Sequence, residues 1–196
     1  MMRNAIITLG LAMLAACGGQ STVEEDHYYR LATGQVAPAS RPLADGAIFV
    51  EQFLADGIQR ERALVYAESS AAAELRQRHY HFWADSPSRL LRDQLVDYLR
   101  AANAGGQITG APEVPAELSI YGKIRRLDHI VKSGSAEVVV VLEFRVQRAG
   151  LDAPLLVRQY ERTMSAADSS VEAAVDVFAA ALSGIYAELV EDIAAA

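Results

Sequence analysis

The 196-residue chain holds one cysteine, Cys17, so no disulfide can form within it and stability must come from the core alone. Basic residues are outnumbered: with Arg3 of the N-terminal segment set aside, 17 Lys and Arg face 25 Asp and Glu, a formal balance of −8. Phosphate backbones attract the opposite sign, so nucleic acid is not an expected partner. Two apolar runs, Ala5 to Leu14 and Val177 to Ala187, fall short of the ~20 residues a transmembrane helix needs. Signatures of independent chemistry are missing as well. Gly105 to Gly110 lacks the Gly-Lys-Ser/Thr of a phosphate loop, and no G-x-S-x-G nucleophile elbow occurs. His79 and His81 stand two apart on one expected strand face, but a zinc site takes three or four ligands and no third is near in sequence. An ordinary solvated or aromatic-packed pair is the simpler reading. No catalytic residue, metal or cofactor is expected, and the chain does not read as an enzyme.

What is present starts at Leu14-Ala15-Ala16-Cys17, which closes the short apolar run and resembles a bacterial lipobox. Arg3 supplies a positive n-region and Ala5 to Leu14 an h-region of about ten residues, as in secretory signals. Residues 1–16 are therefore expected to be a lipoprotein signal peptide cleaved between Ala16 and Cys17, with the Cys17 thiol carrying the lipid. A buried core thiol is the alternative for a lone cysteine, but it does not explain a position directly after an h-region. Two or more acyl chains make a stable anchor where one is marginal. Gly18 follows the cysteine, where an aspartate would favour inner-membrane retention in bacterial lipoproteins, so the periplasmic face of the outer membrane of a Gram-negative cell is the expected location. Residues 17–26 are small and polar and end in Glu24-Glu25-Asp26, a composition that cannot bury itself and reads as a tether. Fully extended it reaches roughly 30 Å at ~3.3 Å per residue.

One domain is expected over residues 27–196. A short strand begins near His27 to Leu31, a loop follows from Gly34 to Asp45, and strands are expected at Ala47 to Leu54, Ala63 to Ala67 and Leu75 to Trp83. Alternation in the last of these places Tyr80 and Phe82 on one face and His79, His81 and Trp83 on the other. Ser86-Pro87 then reads as an N-cap and first helical position. Leu91, Leu95, Tyr98, Leu99 and Ala102 form one helical stripe, ended by Asn103 to Gly106. The second half repeats the theme. A strand at Leu118 to Ile124 and another carrying Val138, Val140, Leu142, Phe144 and Val146 on one face are joined by a turn at Lys132 to Ser135. A third strand over Leu155 to Met164 has poor alternation, and its faces are not assigned. Ser169-Ser170-Val171-Glu172 reads as an S-x-x-E capping box opening a helix with apolar residues at 171, 175, 178, 182, 185 and 189. That stripe covers the sheet in the simpler reading and meets a partner helix in the other. Together these elements predict an α+β domain, a two-layer sandwich with a largely antiparallel sheet and both main helices packed on one face.

The lipobox, the short tether, Tyr28-Tyr29-Arg30-Leu31, the strand Ala47 to Leu54 and Tyr80-His81-Phe82-Trp83-Ala84-Asp85-Ser86-Pro87 leading into Leu91-x3-Leu95-x3-Leu99 together resemble the auxiliary lipoproteins of ABC-type transporters, the group that includes the paraquat-inducible Pqi-type lipoprotein. The resemblance covers essentially the whole mature chain, and its motifs are moderately specific. It implies a periplasm-facing, outer-membrane-anchored partner of an MCE-type transporter that moves lipids or other hydrophobic molecules between membranes, and it implies no active site.

Aromatic residues are enriched at interfaces, so Tyr28, Tyr29, Arg30, His81 and Trp83 are the candidate partner contacts, with the Trp83 face preferred and Tyr80 and Phe82 assigned to the core. Aromatic clusters without an enzymatic motif also lead to an expectation of self-association into a homo-oligomeric ring, bound to the MCE component. A non-enzymatic lipoprotein module of another envelope system, such as a cell-wall-synthase activator, is the alternative. Genes for an ATPase, a permease and an MCE protein beside this one would separate the two.

Overall fold

The computed structural model describes residues 24–111 and 115–196, so the lipobox, Ala16, Cys17 and most of the tether lie outside the described residues. The strands are β1 (His27–Tyr29), β2 (Ala44–Val50), β3 (Leu54–Ala55), β4 (Ala63–Ala67), β5 (Arg76–Trp83), β6 (Gly105–Thr109), β7 (Leu118–Lys132), β8 (Ser135–Arg148) and β9 (Leu156–Ala166). Helix α1 (Pro87–Ala101) follows β5, and α2 (Val171–Ala195) closes the fold.

The sheet is built around β7. One of its edges carries β8 in antiparallel register along its length, through a two-residue turn in which Gly134 adopts φ 78°. A side chain there would be strained, which suits the glycine. The other edge is shared in succession by β2 (Ile48 opposite Leu118), β3 (Leu54 opposite Lys123) and β4 (Val65 opposite Asp128), all parallel to β7. β6 lies parallel beyond β2, β5 antiparallel beyond β4, and β1 parallel beyond β5. The largely antiparallel sheet expected from the sequence is thus corrected to a mixed one, in which five of eight strand pairings are parallel. Apolar alternation specifies which face a residue takes and is silent on strand direction. A two-residue turn forces an antiparallel neighbour, whereas β2, β3 and β4 reach β7 only through long crossovers that include α1.

The α+β class and the two helices stand. Val138, Val140, Leu142, Phe144 and Val146 are all fully buried, and they share one cluster with Leu91, Leu95 and Leu99 of α1 and with Phe178, Leu182, Ile185 and Leu189 of α2. Each such side chain contributes roughly 1.5–3 kcal/mol on leaving water. A smaller cluster of Ala67, Ile130, Val139 and Val141 covers the opposite face. Both groups are served by one strand because a register shift between Ile124 and Arg126 switches the faces of β7, sending Leu127 into the main cluster and Ile130 into the smaller one. By length and composition α2 passes as a membrane span, yet its apolar stripe lies on β8 and β9.

Three local expectations change. The strand expected over Ala47 to Leu54 breaks after Val50, because the chain turns Phe53 into the core over Gly122, where its ring meets Phe144 edge-on at 5.5 Å between centroids. Ser86 occupies the N-cap of α1 without using its side chain; its carbonyl accepts from the amides of Arg89 and Leu90, while the Asp85 carboxylate accepts from the Ser86 amide. At the other end Asn103 takes the left-handed conformation (φ 50°), and the Asn103 and Ala104 amides close back on the carbonyls of Arg100 and Leu99. The cap of α2 is Ser170, whose hydroxyl accepts from the Ala173 amide, one residue later than the S-x-x-E pattern places it. That slip leaves Glu172 free of the cap.

Candidate partner-contact site

The residues where the tether enters the domain form one connected group. β1 lies parallel to β5, pairing His27 with His81, Tyr28 with Phe82 and Tyr29 with Trp83. The Ala84 amide donates to the Tyr29 carbonyl and extends the ladder by one bond. Three aromatic residues in a row at the start of a domain favour a strand with cross-strand pairs. Those pairs form: the imidazoles of His27 and His81 stack at 5.1 Å, and Tyr28 stacks on Phe82 at 5.7 Å. The Arg62 guanidinium lies over the Tyr28 ring at 5.4 Å and donates to the carbonyls of Trp83 and Ala84. A shallow groove of about 360 Å³ runs between Tyr28, Arg62, Gln77 and Phe82.

Tyr29 links this edge to α2. Its hydroxyl donates to Oε1 of Glu172 (2.7 Å), which leaves the oxygen to accept from Nδ1–H of His81 (2.8 Å), a tautomer deduced from the network. Burial first, and then the bond and charge of Glu172, hold the Tyr29 phenol well above its ordinary range. The same bond holds the Glu172 carboxyl below its usual range, together with a backbone hydrogen bond at its own position. His81 is lowered by burial first and by the His27 charge second, against the pull of Glu172. The result is a directed chain from imidazole to phenol to carboxylate that clamps the first strand to the last helix.

The structure separates the five candidate contact residues. Tyr28 (57% exposed) and Arg30 lie at the surface, Tyr29 and His81 are half-buried in the clamp, and Trp83 is 2% exposed, edge-on to Phe178 at 5.6 Å. The expectation that Trp83 presents a contact face is therefore corrected: the indole is a core group. The reason is a break in the alternation of β5. Ala63 pairs with Phe82 and Val65 with Gln77, so three extra residues are looped out of β5, and Tyr80 takes φ 62° within them. Counting by twos through 76–83 fails across that bulge, and Tyr80, assigned to the core, is 41% exposed. His79 and His81 are not joined by a third ligand, and among the described residues no group of three or more His, Cys, Asp or Glu is placed to hold a metal ion.

Several residues of consequence were not legible in advance. The S-x-x-E pattern makes Glu172 a capping residue, and only the fold brings it across 143 positions of chain to Tyr29. Asp128 (1% exposed) accepts from Gln59 (2.6 Å) and Arg126 (2.8 Å) at the floor of a groove bounded by Ile58, Ala72 and Leu75. A buried carboxylate of this kind is stable only because it is paired and hydrogen-bonded. His129 beside it is fully buried with neither ring nitrogen bonded, and burial, then the nearby Arg78 charge, lowers its pKa to about 4. A polar residue inside an alternating strand is the one signal that marks both positions.

No curated protein matches the chain. A crystal structure of a protein from Xanthomonas campestris superposes with a TM-score of 0.72 at 15% identity, covering 84% of this chain and 92% of that one. A second solved structure, of an uncharacterized protein, gives 0.68 at 17% identity over 87% and 99% of the two chains. At such identities the likeness is one of fold. The family described as ABC-type transport auxiliary lipoprotein component matches residues 29–194, which run from the Tyr29 clamp to the last turn of α2. The chain belongs to the ABC-type transport auxiliary lipoprotein family.

Proposed function

We propose that this protein is a non-catalytic accessory subunit of an MCE-type ABC transport system, anchored through acylated Cys17 at the periplasmic face of the outer membrane and docked on the MCE component. The family match over residues 29–194 is the observation that carries the reading. The placement of β1 supports it: the strand that follows the tether is pinned to α2 by the Tyr29–Glu172 bond, so a pull on the anchor is passed to the folded body rather than to a loose end. In this reading function lies in position and contact, and transport of hydrophobic molecules between membranes requires the anchor.

Complementation of a deletion strain tests it, with gene context as the guide to the partner. Cys17→Ser should abolish lipidation, release the domain from the membrane fraction and abolish transport while the domain accumulates folded. His79→Ala, exposed and unbonded to any ligand set, should leave transport intact. Unimpaired transport by a folded, unacylated Cys17→Ser protein would refute the proposal, as would loss of transport in folded His79→Ala.

A further inference from the structure

The end of the sheet at which the tether joins carries Tyr28, Tyr80 and Phe82, aromatic residues that neither core cluster takes up. β1 runs parallel to β5 with His27 beside His81, so Tyr80, one residue earlier in β5, lies at the end of the pair where the tether enters. The looped-out segment holds Tyr80 at φ 62° and leaves it 41% exposed. Left-handed backbone is unfavourable for a bulky side chain, and such outliers gather at positions that are put to use. Tyr28 stacks on half-buried Phe82, and the Arg62 guanidinium rests over the Tyr28 ring. The carbonyls of Trp83 and Ala84 take Nε and Nη2 of Arg62, and Nη1 has no partner among the described residues. The Tyr28 hydroxyl donates to Asp26 (3.1 Å), so this side chain is apolar in its body and polar at its tip. Arg30 and Arg62 are outnumbered by Glu24, Glu25, Asp26 and Glu61, so the end offers rings rather than positive charge.

We infer that this end of the domain rests in the headgroup layer of the bilayer that holds the lipid anchor, with Tyr28, Tyr80 and Phe82 against the lipid. The length of chain before β1 selects that occupant. His27 follows Cys17 by ten residues, which span roughly 30 Å at most at ~3.3 Å per residue. A folded body of this size has a radius of gyration of roughly 15 Å. β1 therefore stays within about one body's width of the bilayer, while the opposite end of the sheet can lie a body's width further out. Three partly exposed rings fall well short of the roughly 800 Å² a side that a standard protein interface buries, too little to hold a partner arriving from solution. A surface already tethered is met at an effective concentration of millimolar order, at which a weak contact is populated. Tyrosine is enriched where a bilayer meets water because its ring is apolar and its hydroxyl stays wet. Arg62 lays its stem along the same surface and keeps one nitrogen for a lipid phosphate. Since the acidic groups prevail, the contact needs no anionic lipid. This inference rests on the anchor at Cys17 in the reading above and assigns a surface to it.

Fluorescence of the full-length acylated protein in phosphatidylcholine vesicles, with and without a nitroxide on the lipid headgroup, tests it. With Cys17 acylated, an introduced cysteine is the one free thiol of the chain. An environment-sensitive fluorophore is attached singly at Gln77→Cys, in the groove beside Tyr28 and Phe82, or at Asp152→Cys, in the turn after β8 at the opposite end of the sheet. Strong nitroxide quenching at 77, little at 152, and loss of the quenching at 77 in a Tyr28→Ser, Tyr80→Ser pair are the expected result. Hydrogen exchange of the pair variant, showing protection in β8 and α2 equal to the parent, verifies that it is folded. Equal quenching at both sites, or quenching at 77 that survives the pair, overturns the inference, because the tether alone then accounts for it. A blue-shifted but unquenched probe at 77 means that a second copy of this chain covers the end, and overturns it as well. An unshifted, unquenched probe at 77 on protein that stays with the vesicles overturns it and leaves the anchor standing, whereas protein that does not stay with the vesicles removes the anchored reading itself.

Discussion

Replacing His129 by leucine is expected to make the protein more stable. The imidazole is fully buried and neither nitrogen finds a hydrogen-bond partner. Leaving a buried polar group unsatisfied costs about 1–3 kcal/mol, and an apolar residue of similar volume removes that cost. His129→Leu should therefore raise the unfolding free energy by about 1–2 kcal/mol at pH 7.5, read from urea transitions of the non-acylated Cys17→Ser protein. The pH dependence sharpens the test. The folded-state pKa of about 4 lies below the ordinary 6.5, so below 6.5 the unfolded chain takes up a proton that the native one refuses. The native protein keeps its full stability above pH 6.5 and loses it progressively as pH falls towards 4. At 1.36 kcal/mol per unit the lowered pKa removes roughly 3 kcal/mol across that interval. Carboxylates titrate there too, so the quantity to follow is the difference between parent and variant, which should widen by about that amount between pH 7 and pH 4. Superimposable pH profiles would show that His129 is not held neutral in the native state, and a variant less stable at pH 7.5 would show that the imidazole nitrogens are satisfied.

Gly122→Ala puts a Cβ 2.7 Å from three carbons of the Phe53 ring, so it should cost about 1–3 kcal/mol, and Phe53→Leu in the same chain should recover part of that; strict additivity in denaturant melts would dismiss the clash. Trp83→Ala should lower stability by about 3–5 kcal/mol through the cavity left against Phe178, visible as a lowered melting temperature of the isolated protein before any partner is added. Tyr29→Phe removes the bond between β1 and α2 and should cost about 0.5–1.5 kcal/mol while the Glu172 carboxyl moves back up towards its ordinary range, followed by carboxyl-carbon chemical shifts; an unmoved Glu172 titration would mean that the phenol does not hold it.

Most elements were legible in the chain because local pattern specifies them, whereas β6 (Gly105–Thr109), which has no alternating apolar run, was not expected and forms only by pairing with β2. The stripe from Leu91 to Ala102 made α1, the five alternating residues of β8 turned one face inward, and Ser133-Gly134 placed the hairpin. The lipobox and the composition before His27 likewise belong to the chain alone, and so does the family resemblance. Pattern does not extend to what depends on residues far apart. Strand direction along β7 depends on which crossovers the chain takes. The burial of Trp83 depends on three residues looped out of β5 against β4, and the role of Glu172 depends on a cap that settled one residue late on Ser170. Among the described residues β9 has no neighbour but β8, and its arginines are ion-paired only because α2 brings Glu188 and Asp192 alongside. Periodicity records a residue's face through its nearest neighbours in sequence, whereas partners and edges are decided by packing the whole chain at once.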